Sequence, residues 1–263
     1  MKMDAETERD AENPSRVGPS PKSPLEPWIG RVAIAVPSFQ AARWLGPVVE
    51  GCLALLPDVV VIDDGSDDGT GDVARRAGAE VLRVPENRGK GHALRLAFDT
   101  LFGRGFEAVV TLDADGQHMP SEIVKLLECW QETGAGLVLG TRDHLFAGMS
   151  SLRRFANTAS SRAISAVAGQ MMMDIQTGFR LYTPELIRNT GFPEPRFEAE
   201  SAVVVRALRR GLQITTVPIH LAVVDGRKTS HFRPVIDSLR IAKAVARARL
   251  EPLRKAPGAG GRH

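Results

Sequence analysis

Short apolar runs alternate with longer amphipathic stretches along most of the chain. Residues 31–36 (Arg-Val-Ala-Ile-Ala-Val), 58–62, 80–84, 108–112 and 136–140 are bounded by turn residues and predict buried strands. Between them, 41–56, a short stretch after Thr70, 90–102 and 122–131 carry helical periodicity. Gly46-Pro47 predicts a kink or a late start in the first of these helices, and Pro120 opens the last. Strands and helices alternating at these lengths predict an α/β domain with a mostly parallel central sheet flanked by helices. The second half is less regular. It predicts a basic helix over 151–168, extended segments over 175–182 and 213–224, a helix over 198–210 and a polar loop over 225–231. The run Met171-Met172-Met173 reads as packing at a loop. An amphipathic helix over 234–253 carries Arg240, Lys243, Arg247, Arg249 and Arg254 on or near its polar side.

The ends differ from the middle. Residues 1–28 are rich in Pro, Ser and charge and bury too little apolar surface to offset their ordering entropy, which predicts a disordered tail. The folded domain is then expected over 29–232, its first strand starting at Arg31, with an amphipathic helix and loose Gly-rich tail over 233–263. A net charge of +3 gives no case for nucleic acid as a partner. Cys52 and Cys129 lie far apart on helix-like faces and read as reduced thiols. No apolar run approaches the ~18 residues of a membrane span, and the acidic N-terminus lacks a signal peptide's apolar core. These features predict a cytoplasmic protein.

The candidate chemistry centres on Val109-Val110-Thr111-Leu112-Asp113-Ala114-Asp115-Gly116-Gln117-His118. A buried strand delivers two carboxylates, one residue apart, into a Gly-containing loop. Such close acids repel unless a cation or a donor compensates them. Mg²⁺ is typically held by one or two carboxylates plus substrate phosphates. The pair therefore predicts a metal–diphosphate site at Asp113 and Asp115, with Gln117 as a further ligand. The competing reading is two Asx-turn formers after a strand. Pro37, Asp63-Asp64 and Asp113-Asp115 all fall at the carboxyl ends of predicted strands, where ligands bind on such sheets. That convergence favours the metal–nucleotide reading.

Three further motifs are weaker. The loop from Asp63 to Thr70 mimics the start of a calcium loop, but Arg75 stands where a bidentate Glu is required. It suits a carboxylate accepting from a nucleotide's base or ribose, or a tight turn rich in capping residues. Asn87-Arg88-Gly89-Lys90-Gly91-His92 opens a helix in a way that suits an anion, yet lacks a full phosphate-loop pattern. Gln40-Ala41-Ala42-Arg43-Trp44 spells the Gln-x-x-Arg-Trp string of processive polysaccharide synthases, but precedes the acidic motifs instead of following them.

Asp63-Asp64-Gly65-Ser66-x-Asp68-Gly69-Thr70, Asn87-x-Gly89-Lys90-Gly91 and Asp113-Ala114-Asp115-Gly116-Gln117-His118 stand in the order and spacing of family 2 glycosyltransferases. With Asp174-Ile175-Gln176-Thr177-Gly178-Phe179-Arg180-Leu181-Tyr182, the chain resembles the polyprenyl-phosphate (dolichyl-phosphate mannose synthase-like) branch over about 31–239. The resemblance implies the GT-A (nucleotide-diphospho-sugar transferase) fold, a UDP- or GDP-sugar donor, Mg²⁺ or Mn²⁺, and inverting transfer of a hexose. It also implies a polyprenyl-phosphate acceptor. The basic C-terminal helix suits either peripheral contact with anionic lipid at the inner face of the membrane or a solvated charged face packed on the sheet.

Carried over residue by residue, the resemblance puts Pro37 and Phe39 at the base and Asp63, Asp64, Lys90 and Asp113 around the donor. Asp115, with Asp113 and Gln117, takes the metal. Arg142 matches an arginine that faces phosphates near the acceptor, with Arg153 or Arg154 in a similar role. Glu198 or Glu200 is the base if the acceptor is a hydroxyl; an ionised lipid phosphate needs none. The chain departs from the family's Pro-x-Tyr/Phe-Asn-Glu opening, having Pro37-Ser38-Phe39-Gln40-Ala41 and no acid at Ala41. Two rival readings follow: a nucleotide-sugar-binding protein without catalysis, and a nucleotidyltransferase. The second lacks its expected Gly-rich basic loop after the first strand.

Overall fold

A computed structural model describes residues 25–141, 175, 177–222 and 233–252. The expected N-terminal tail up to residue 24, Arg142, the basic helix over 151–168, the Met run, Asp174, Gln176, the polar loop over 225–231, Arg254 and the C-terminal tail lie outside the described residues.

Seven strands form one sheet in the order β3-β2-β1-β4-β6-β5-β7 among the described residues. They are β1 (Val32–Ser38), β2 (Val59–Asp64), β3 (Glu80–Val84), β4 (Ala108–Thr111), β5 (Leu137–Thr141), β6 (Arg180–Tyr182) and β7 (Ile214–Pro218). The helices are α1 (Ala42–Leu53), α2 (Thr70–Arg76), α3 (Lys90–Gly103), α4 (Ile123–Thr133), α5 (Pro184–Thr190), α6 (Glu198–Arg209) and α7 (Pro234–Leu250). All pairings are parallel except those of β6, which runs antiparallel between β4 and β5. The expected mostly parallel sheet is therefore present, with one reversed strand.

Alternation along each strand divides the core in two. Ala33 and Ala35 face one layer with α3, α5, α6 and α7, while Val32, Ile34 and Val36 face the other with α1, α2 and α4. Helix α3 fits its layer because Leu94, Phe98 and Leu101 recur at helical spacing and are fully buried. Each such side chain contributes about 1.5–3 kcal/mol when removed from water.

Several boundaries move from the sequence reading. Ahead of the expected start at Arg31, Leu25 and Trp28 bury against the α1 layer around a short 3₁₀ turn. Helix α1 runs from Ala42 through Pro47 without the expected late start. Among the described residues, β6 and β7 are the strands within the segments expected to be extended, and α5 appears where no helix was expected.

The C-terminal helix was expected as a separate unit. Instead, Ile241, Ala244, Val245 and Ala248 of α7 bury in the same core as α3 and α6. Arg206 of α6, almost fully buried, bridges Glu194 to Glu251 just past α7 (Nε to Oε2, 2.8 Å). Arg209 Nη1 donates to the Ala248 and Glu251 carbonyls at 2.7 and 2.8 Å. Helix α7 thus packs into the same core as α3 and α6.

Candidate active site

The carboxyl ends of β1, β2 and β4 open onto one cleft of about 850 Å³, within the range of small-molecule sites. Parallel register makes this unavoidable. Ser38 pairs with Asp63 and Ala35 with Thr111, so the segments that follow all three strands leave the sheet on one edge.

The loop after β2 organises the cleft's surroundings. Asp64 is buried and accepts from the backbone N–H groups of Arg88 (2.9 Å) and Gly89 (2.7 Å), fixing the turn before α3. Asp63 points elsewhere. It accepts from Ser66 N–H and pairs with Arg83 at 2.7 Å, and it does not line the cleft. Gly65, at φ +76°, passes so close to Glu86 and Asn87 that a Cβ would meet their backbone at 2.6–2.7 Å.

Helix α1 has no side-chain cap of its own, since Ala41 occupies that position. The same loop supplies the caps. Thr70 Oγ1 accepts from Ala41 N–H at 2.8 Å, and Asp68 Oδ2 from Ala42 N–H at 3.0 Å. Burial pushes the Asp68 carboxyl up, but the Thr70 hydroxyl and the N–H groups of Ala42 and Thr70 outweigh it and hold it below the usual range. Gln40, whose φ of 52° is unusual for a side-chain-bearing residue, is held by its N–H donating to Ser66 Oγ at 3.0 Å.

The acidic loop after β4 meets a lysine. Lys90 Nζ lies 2.7 Å from Asp113 Oδ1 and 3.0 Å from Glu200 Oε2. Burial alone would lower the Lys90 ammonium's pKa, but the two carboxylates prevail and hold it above its ordinary value. Gly178 closes over this group: a Cβ there would stand 2.6 Å from both Lys90 Nζ and Asp113 Oδ2. Behind it, the fully buried Arg180 donates at 2.6 Å to the carbonyls of Ile175, Thr177 and Glu200, tying the segment before β6 to α6. Burial also pushes the neighbouring Tyr182 phenol up to about 12, so it stays neutral.

Asp113 N–H donates to His118 Nδ1 at 3.1 Å, which makes Nδ1 the unprotonated ring nitrogen. The 3.7 Å approach of that nitrogen to Asp113 Oδ2 is then a contact and not an ion pair. Asp115 Oδ1 accepts from Gln117 N–H at 3.0 Å. Among the described residues no three His, Cys, Asp or Glu side chains group closely enough to cage a metal. The donor set fits a hard cation that takes its remaining ligands from a bound phosphate.

Pro37, Phe39, Asp64, Lys90, Asp113 and Asp115 therefore share the cleft's lining. Gln117 stands beside Asp115 but is not on that lining. Glu200 lies beneath Lys90, and Glu198 lines a second cavity of about 370 Å³ next to α7; neither reaches the cleft wall. Arg142 falls outside the described residues. The expected anion seat at the start of α3 is taken up by protein: His92 N–H donates to the Pro195 carbonyl at 2.9 Å, and the Glu194 carbonyl crowds Gly91.

Sequence reasoning missed other lining residues. Gln40, Arg43 and Trp44 face the cleft, with the Arg43 guanidinium 4.4 Å above the Trp44 ring. The Gln-x-x-Arg-Trp string, although it precedes the acidic motifs, therefore contributes to the site's surface. Arg196, Phe197, Arg233, Asp237 and Arg240 complete the wall from the C-terminal half. Only basic residues near a predicted helix start hinted at them.

Residues 33–191 match the sequence profile of Glycosyl transferase family 2. The chain is 32% identical over 194 residues to Glycosyltransferase AglJ of Haloferax volcanii, covering 71% of this chain and 61% of that protein. It is 31% identical over 203 residues to the undecaprenyl-phosphate mannosyltransferase of Micrococcus luteus, covering 72% and 82%. Among solved structures, glucosyl-3-phosphoglycerate synthase of Mycobacterium tuberculosis, solved with Mn²⁺, UDP and phosphoglyceric acid, superposes with a TM-score of 0.65 at 18% identity. That superposition covers 84% of this chain and 79% of that one, and it shows the GT-A fold.

Proposed function

Since the chain belongs to glycosyl transferase family 2 and is a glycosyltransferase, we propose that it moves a hexose from a UDP- or GDP-sugar, with inversion, to a polyprenyl phosphate. The observation that carries this reading is the composition of the cleft. Asp113 and Asp115 stand on its wall with Lys90 among them, and Arg196, Arg233 and Arg240 face it from the C-terminal half. Carboxylates for a metal-bound diphosphate and guanidinium groups for a second phosphate suit a donor and an anionic acceptor together.

In this reading Pro37 and Phe39 flank the base. Asp113, its charge balanced by Lys90, accepts from donor hydroxyls. Asp115 and the donor's phosphates hold Mg²⁺ or Mn²⁺, which when bound neutralises the charge that develops on the leaving diphosphate. The acceptor oxygen attacks the anomeric carbon as the bond to the diphosphate breaks. A phosphate monoester has its second pKa near 6 and is largely ionised at neutral pH. Such an acceptor needs no base, in keeping with the positions of Glu198 and Glu200 off the cleft wall. The name of the Micrococcus luteus relative points to the same acceptor class.

No helix among the described residues is long and apolar enough to cross a membrane. Helix α7 instead exposes Ile236, Leu239 and Leu250 beside Lys243 and Arg247. Apolar residues interleaved with cations suit peripheral contact with an anionic bilayer at the cytoplasmic face.

The test is calorimetric titration with UDP- and GDP-sugars, with Mn²⁺ and then with EDTA, followed by a transfer assay to a polyprenyl phosphate. Metal-dependent binding of one donor and formation of a lipid-linked sugar are expected. Donor binding without transfer or donor hydrolysis would favour the non-catalytic reading.

A further inference from the structure

Arg240 lies on the lining of both cavities. Its guanidinium donates to Asp237 Oδ1 at 3.1 Å, and Asp237 is itself almost fully buried. The other Asp237 oxygen accepts from Arg233 N–H at 2.7 Å. One buried carboxylate thus fixes the first turn of α7 and aims Arg240, while Arg233 and Arg240 both face the cleft. Arg240 remains about half exposed, so it retains donors for a ligand.

The same helix carries a line of cations away from the cleft. Arg240, Lys243 and Arg247 recur at helical spacing and line the second cavity. Ile236 and Leu239, exposed on the adjoining surface, sit beside Arg240 at the cleft end of that line. A ligand with an anionic head and an apolar tail matches this order, its head at Arg240 and its tail along the outward side of α7.

We propose that Arg240, oriented by Asp237, and Arg233 form the seat for the acceptor's phosphate, which makes α7 a working wall of the active site. This rests on the polyprenyl-phosphate reading above. It assigns the acceptor phosphate to guanidinium groups of the C-terminal helix, which hold it bidentately while the donor diphosphate stays with Asp115. Asp237 is a positioning residue that acts through Arg240.

The test uses the full chain and geranyl phosphate, a short water-soluble isoprenyl phosphate, so that membrane attachment does not enter. Arg240→Gln and Arg233→Gln are expected to raise KM for geranyl phosphate by about 10- to 100-fold, the loss of a charge-assisted hydrogen bond. The Kd for the donor, read by calorimetry, stays within twofold. Arg240→Lys recovers part of the loss, Asp237→Asn gives a smaller rise, and Arg249→Gln, on the same helix but lining neither cavity, changes nothing. An unchanged KM in both glutamine variants overturns the proposal. A parallel weakening of donor binding also overturns it, reassigning the arginines to the diphosphate. Intact donor binding with no wild-type transfer to any isoprenyl phosphate removes the acceptor reading itself, and this seat with it.

Discussion

Glu200 reaches Asp113 only through Lys90, whose ammonium lies 2.7 Å from Asp113 Oδ1 and 3.0 Å from Glu200 Oε2. The three groups come from the acidic loop, the start of α3 and the first turn of α6, which are far apart in sequence. One lysine therefore couples the acidic loop to the helix that carries α7. Glu200 is buried and Asp113 about one-third exposed, so the two carboxylates depend on Lys90 unequally.

Lys90→Met tests that coupling. It takes from Glu200 the nearer of its two cations, Arg180 Nε lying 3.8 Å away, and from Asp113 the ammonium at 2.7 Å, and removing one partner of a buried pair costs about 3–5 kcal/mol. Urea unfolding is expected to show a loss of that order, and calorimetry a loss of donor binding. A stability change below about 1 kcal/mol would mean that the pair is not closed in solution.

Gly178→Ala probes the same group by shape alone. The added methyl would stand 2.6 Å from Lys90 Nζ and Asp113 Oδ2, both ends of side chains that can move. The fold should survive with a melting temperature lowered by only a few degrees, while displacement of Asp113 lowers kcat by about 100-fold. Full activity in a well-folded Gly178→Ala protein would separate Asp113 from catalysis.

Glu198 and Glu200 give a direct test of whether a base is used. General-base catalysis typically contributes 10²–10⁴-fold. Because Glu198 lines the second cavity, Glu198→Gln is expected to keep kcat within about threefold. Glu200→Gln keeps a polar partner for Lys90 and should lower kcat no more than tenfold. A loss of a thousandfold in either, with a flat pH profile, would restore a hydroxyl acceptor and its base.

How far these relationships were legible in the sequence depends on their range. The strands were readable because β1, β2 and β4 are short apolar runs that end in Pro37-Ser38, Asp63-Asp64 and Leu112-Asp113, and parallel register then brings those ends together. Strand β6 hid its direction, since an apolar run looks the same read either way. Helix α5 did leave a local signal in Thr183-Pro184-Glu185: Thr183 Oγ1 accepts from Leu186 N–H and Pro184 opens the helix. Asp63 and Asp64 are adjacent and chemically identical, yet alternation sends one to Arg83 and the other to the turn before α3. Only the fold separates them. The arginines of α7 were read as a solvated or lipid-facing surface because their partner Asp237 and the cleft itself are long-range features.

The docking of α7 should depend on acid pH through Glu251. The Arg206 guanidinium beside it holds the Glu251 carboxyl below its usual range, an effect that exceeds the opposing one of burial. A carboxyl whose folded-state pKa lies below its unfolded value of about 4.3 stabilises the fold fully above that value, and the contribution fades as pH falls through the folded value. At pH 7 Glu251→Gln is therefore expected to cost about 1–3 kcal/mol, since Arg206 is almost fully buried and retains Glu194 as its other partner. As pH falls through that folded value wild type loses the same interaction, so the urea midpoints of the two proteins should converge toward acid pH. A gap that stays constant from pH 7 down to the acid limit of the native state would mean that Glu251 acts through packing instead of its charge, and α7 would then be held by its apolar face alone.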